Sequence, residues 1–109
     1  MITFELAREL KEAGYPQGRQ VSSWITSTGA KLWIEPTRLK PGEYAYIPDL
    51  SELIESCGDK FMNLHRNANG VWETYTIMVS EVILGDTPEK AVARLWIALN
   101  KGQDKTPPK

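Results

Sequence analysis

The segment that most restricts the fold is the C-terminal quarter, where Gly85-Asp86-Thr87-Pro88-Glu89-Lys90-Ala91 leads into Val92-Ala93-Arg94-Leu95-Trp96-Ile97-Ala98-Leu99-Asn100-Lys101-Gly102. Both ends of a helix are written in it. Thr87 supplies an N-cap oxygen, Pro88 suits the first helical position because its missing N–H would have no intrahelical partner there, and Glu89 places negative charge at the positive end of the dipole. Gly102 is the predicted stop, because glycine takes the left-handed conformation that ends helices. The segment specifies a helix and carries no chemistry.

Two further helices are expected. Thr3 can cap the first, which runs to about Ala13 with Leu6, Ala7 and Leu10 on one face, and Gly14 and Pro16 end it. In the second, Leu50, Leu53, Ile54 and Cys57 follow the spacing of one helical face. Asp49 with Glu52 three residues on has the form of a capping box, and Gly58 is the stop. The intervening segments read as strands. After a polar loop through Arg19, the stretch Val21 to Pro36 holds two extended runs, Trp24-Ile25-Thr26 and Leu32-Trp33-Ile34, with a turn at Ser27-Thr28-Gly29, and Glu43 to Ile47 is a third. Phe61 to His65 and Val71 to Val79 form a second hairpin around Asn69-Gly70. Apolar residues fall on both faces of its second strand, which predicts a bulge or cover on both sides. Ser80 to Leu84 reads equally as the end of that strand or as a loop. The expectation is therefore a single α+β domain over residues 1–102, with a mostly antiparallel sheet of four or five strands packed against three helices, and a disordered tail over residues 103–109.

Size and charge narrow the function classes. A chain of 109 residues holds one core and not two, and a net charge of −1 gives no general attraction to phosphate backbones or anionic membranes. No run approaches the roughly 20 apolar residues of a membrane span, and the N-terminus lacks a basic segment followed by an apolar one. A cytoplasmic protein is expected. With a single cysteine, Cys57, and a single histidine, His65, neither a disulfide nor a Cys/His zinc site can be assembled within the chain.

Few residues can carry chemistry. Histidine is the residue type suited to acid–base work near neutrality, but His65 stands in a strand beside Arg66 with no nucleophile framed by tight-turn glycines, so an exposed strand-end role is expected. Cys57 lies on the apolar face of the second helix and reads as a small core hydrophobe. Asp49, Glu52 and Glu55, and separately Glu81, Asp86 and Glu89, could be imagined as metal ligands or paired carboxylates, yet Asp49, Glu52 and Glu89 have capping or dipole roles and no calcium-loop pattern is present. No phosphate-binding glycine motif occurs, and no cofactor is expected. What remains is aromatic: of the tryptophans and tyrosines, Trp24, Trp33, Tyr44 and Tyr46 are the candidate protein interface, with Trp24 and Trp33 facing one another across the first hairpin.

The segments Tyr46 to Phe61 and Gly85 to Asn100 together resemble small proteins of bacteriophages and prophages. The resemblance covers about a third of the chain and implies a mobile-element origin and an α/β sandwich, with no catalytic residues to carry over. Gly42-Glu43-Tyr44-Ala45-Tyr46-Ile47-Pro48-Asp49-Leu50 with Gly85-Asp86-Thr87 is similar in type to HicB-type antitoxins, although a helix and a hairpin separate the two pieces and no DNA-binding element follows. The leading expectation is a non-enzymatic protein of phage or prophage origin that binds a host or phage protein, for example to inhibit a host defence system. The alternatives are a toxin-neutralising antitoxin and a small hydrolase pairing His65 with a carboxylate.

Overall fold

The structure is a computed structural model that describes residues 2–18, 23–76 and 79–104. Helix α1, Phe4–Glu12, starts where Thr3 Oγ1 accepts from Leu6 N (3.3 Å), and buries Phe4, Leu6, Ala7 and Leu10. Strands β1 (Trp24–Thr26) and β2 (Lys31–Leu32) make the first hairpin, and β3 (Tyr44–Tyr46) pairs antiparallel on the other side of β1. Helix α2, Leu50–Cys57, follows Pro48 and Asp49, and β4 (Asn63–Arg66), β5 (Trp72–Thr76) and β6 (Val79–Gly85) form a second antiparallel meander. Helix α3, Pro88–Asp104, is capped where Thr87 Oγ1 accepts from Lys90 N (3.2 Å).

The strands do not make one sheet of four or five. They make two three-stranded sheets, ordered β2-β1-β3 and β4-β5-β6. The first is limited by β1, which offers only three residues for pairing, and by Pro48, which cannot continue a ladder beyond β3. Helix α3 joins the halves, since it packs on β5 and β6 and also touches α1 and α2, while α1 lies on β1 and β3. One apolar cluster joins α1, β1, β3, α2 and α3, from Ile2 and Leu10 through Trp24, Tyr46 and Leu53 to Leu95 and Trp96, with Leu64 of β4 and Ile83 of β6 packed against it.

In the second sheet Thr74 and Thr76 are buried, whereas Glu73 and Tyr75 alternate onto the opposite, open face with His65 and Leu84. The register slips between Thr74 and Thr76, so a bulge accounts for the mixed patterning of this region. Val79 belongs to β6 rather than to β5, and Ser80 to Leu84 is strand; Ile77 and Met78 lie outside the described residues, as do Arg19 and Val21. The hairpin turn is held by Asn67, whose Oδ1 accepts from Asn69 N (2.9 Å) and Val71 N (3.0 Å), and Gly70 takes the left-handed φ of 81°.

Two helix-end expectations need correction. Gly102 does not stop α3, which continues to Asp104; a glycine that keeps helical dihedrals costs a helix only about 1 kcal/mol and need not end it. Residues 103 and 104 are thus helical, and 105–109 of the expected disordered tail lie outside the described residues. The capping box at α2 is half formed. Asp49 Oδ1 accepts from Glu52 N (2.9 Å), but the Glu52 carboxylate turns inward instead of back to Asp49.

Candidate functional site

The four aromatic residues expected to form an interface separate into a core pair and a surface pair. Trp24 and Tyr46 stand directly opposite on β1 and β3 and are buried, with ring centroids 5.5 Å apart and planes at 62°. Tyr44, diagonal to Trp24, meets its ring at 5.7 Å and is half-buried. Trp33 is 69% exposed. It does not face Trp24, because the hairpin register places Leu32 there and β2 ends at that residue. Burial of Trp24 and Tyr46 removes them from any docking surface. Trp33 and the outer edge of Tyr44 remain.

Glu52 is the residue whose surroundings depart furthest from its sequence pattern. It is fully buried, with Oε1 accepting from Tyr46 Oη (2.5 Å) and Oε2 accepting from Tyr15 Oη (3.0 Å). Tyr15 spends its one proton on Glu52, so Ser56 Oγ is the donor in the 2.9 Å contact between the two hydroxyls. Burial pushes the Tyr15 phenol upward, which keeps it a donor at ordinary pH. Among the described residues no cation pairs with Glu52, and its compensation comes from the two phenols and its place in the first turn of α2. The network ties the loop after α1, strand β3 and helix α2 together. Tyr15, Tyr46 and Glu52 are buried, with the partly exposed Ser56 at the edge of the network. Helical spacing puts Glu52 off the apolar face of α2, so no local signal marked it as buried.

His65 meets one requirement of the hydrolase alternative: its Nε2 lies 2.9 Å from Glu73 Oε1. The alternative also calls for a cleft around that pair, whereas His65 and Glu73 stand on the open face of the second sheet; Cys57, the one thiol, is separately buried in the core, where desolvation pushes it up to about 11. Glu73 also accepts from Asn67 Nδ2 at 2.8 Å, so the carboxylate links His65 on β4 to the hairpin turn. His65 is half exposed on an open sheet face, as expected for a strand-end residue.

The surface feature with most apolar exposure is the segment from Lys31 to Arg38. Trp33 and the adjacent Ile34 are 69% and 77% exposed, more than any other large apolar residues described. Isolated exposed apolar residues are ordinary, but two consecutive ones beside a concavity are the pattern of a contact surface. The concavity has a volume of about 620 Å³, and Leu32, Trp33, Ile34 and Pro36 supply its apolar walls. Tyr44 Oη donates to Glu35 Oε2 (3.2 Å), fastening the loop to β3. Partial desolvation, together with the Glu35 carboxylate, pushes the Tyr44 phenol upward. Lys31 Nζ lies 5.3 Å above the Trp33 ring, and Lys11 Nζ lies 4.8 Å above that of Tyr44 while donating to Pro41 O at 2.6 Å. A smaller exposed set, Tyr75, Val82 and Leu84, lies on the open face of the second sheet.

Among the described residues no three His, Cys, Asp or Glu side chains are grouped to hold a metal ion, and no helix is long and apolar enough to cross a membrane. The chain matches no protein-family model, no curated protein and no solved structure, so the side chains themselves carry the functional reading.

Proposed function

We propose that this is a non-enzymatic binding protein of phage or prophage origin, which acts by occupying a host or phage protein through the loop that presents Trp33 and Ile34. One observation carries the reading: two adjacent large apolar side chains, 69% and 77% exposed, line a concavity whose walls are apolar. A chain that buries Trp24, Tyr46 and Trp96 while leaving Trp33 in water has the composition of a core and a separate contact patch. An inhibitor of a host defence system is the form of this role that the phage resemblance favours.

The test is affinity purification of the tagged protein from infected bacterial cells, with quantitative mass spectrometry of the wild type against a Trp33→Glu/Ile34→Glu variant. One stoichiometric partner that the variant loses, while keeping the wild-type melting temperature, is the expected result. A target in a defence pathway would identify an inhibitor, and a small basic toxin encoded alongside would identify an antitoxin instead. Absence of any partner, or its retention by the variant, would refute the reading.

A further inference from the structure

We infer that the occupant of the Trp33 concavity is an acidic segment of another protein that inserts one large apolar side chain beside Trp33; this rests on the binding role proposed above and specifies the partner's chemistry. The charges around the loop are unevenly used. Glu35, which also lines the concavity, accepts from Tyr44 Oη, and Glu43 accepts from Lys40 N (3.0 Å); these neutral donors orient the carboxylates and leave their charge, so the lining sets the two cations Lys31 and Arg38 against one carboxylate. The cations are not equally engaged. Arg38 lines the concavity and forms no hydrogen bond or ion pair with the described residues, and Lys31, held over the face of Trp33, is an exposed residue.

A site with apolar walls and an excess of positive charge in its lining selects an apolar anchor flanked by carboxylates. Complementary rim charges steer encounter and reject wrong partners, while a buried apolar anchor supplies most of the affinity. The volume falls in the range of roughly 300–1,000 Å³ typical of ligand sites and is ample for one aromatic or leucine side chain. The chain's own C-terminal sequence is the wrong occupant by composition, since Gln103-Asp104-Lys105-Thr106-Pro107-Pro108-Lys109 is basic at its end and has no large apolar residue. Single-stranded nucleic acid is the less favoured ligand. Leu32, Ile34 and Pro36 offer aliphatic walls rather than stacking faces, and the net charge of the protein is −1.

The test is selection of short random peptides displayed on a surface against the full chain. Binding of the selected synthetic peptides is then measured by fluorescence polarisation to wild type, Trp33→Ala, Arg38→Glu and Lys31→Glu/Arg38→Glu, with circular dichroism melts confirming that each variant is folded. Peptides carrying Trp, Phe or Leu among Asp and Glu are expected, losing about tenfold or more in affinity on Arg38→Glu or at high salt and all detectable affinity on Trp33→Ala. Selected peptides that need Trp33 but are neutral or basic, and ignore Arg38→Glu, would overturn the acidic partner and leave the binding role standing. An empty selection, or peptides indifferent to Trp33→Ala, would overturn both. A mixed-sequence single-stranded oligonucleotide that binds through Trp33 more tightly than any peptide would replace the protein partner with nucleic acid.

Discussion

Tyr46→Phe removes one hydroxyl and nothing else from the buried network, which makes it the sharpest probe of how Glu52 is tolerated in the core. The lost contact is the 2.5 Å donation from Tyr46 Oη to Glu52 Oε1, between groups that are both fully buried. Hydrogen bonds to charged groups contribute about 1.5–3 kcal/mol, and a short bond to a carboxylate with no cationic partner among the described residues belongs in the upper half of that range. For a chain of 109 residues the unfolding entropy near the midpoint is about 0.23 kcal/mol per degree, so a loss of about 2.5 kcal/mol lowers the midpoint by roughly 10 °C. The assay is thermal and urea unfolding followed by circular dichroism at neutral pH. A double-mutant cycle isolates the bond: in a Glu52→Leu background Tyr46→Phe should cost much less, leaving a coupling of about 1.5 kcal/mol or more. A midpoint within about 2 °C of wild type, or an equal loss in both backgrounds, would show that the carboxylate does not depend on this phenol.

Gly85 ends β6 against the first turn of α3, and a Cβ there would stand 2.5 Å from Ala91 N and 2.9 Å from Ala91 Cα. Since backbone cannot swing aside, Gly85→Ala is expected to cost about 3 kcal/mol in urea unfolding, while Gly42→Ala, where nothing lies within 4 Å, stays near neutral; equal effects would refute the packing argument. Cys57 is held as a thiol by burial, with its pKa raised from 9.0 to about 11. A group whose folded value is raised contributes stability below its unfolded value and loses it as pH climbs through the folded one. Stability should therefore fall between about pH 9 and pH 11 by an amount that Cys57→Ala reduces, and native-state labelling by an aromatic disulfide reagent at pH 8 should be slow. Rapid labelling of the folded protein would contradict the burial.

Features made of neighbouring residues were legible in the sequence. Thr3, Asp49 and Thr87 cap the three helices as their spacing requires, and Gly14 and Gly58 follow α1 and α2 with positive φ. The Asn67 to Gly70 turn and the core position of Cys57 were legible for the same reason. Strand lengths and pairings were not. Leu32-Trp33-Ile34 is apolar throughout and reads as a strand, but β1 can pair with only its first residue, and Trp33 and Ile34 are left outside the sheet. The aromatic interface is half legible, since Trp24, Trp33, Tyr44 and Tyr46 are of suitable type but pattern alone does not distinguish a tryptophan with a partner strand from one without.

The helix starts, the turns and the α+β class follow from local residue patterns alone, because caps and left-handed glycines act across three or four residues and need no distant partner. Tertiary structure decided that the strands divide into two sheets, that Trp24 is buried and Trp33 is not, and that Glu52 leaves its capping role for the core. Tyr15 and Glu52 are 37 positions apart, and only the fold brings the phenol to the carboxylate. The burial of a charged side chain is set by donors elsewhere in the chain, and its local spacing carries no trace of them.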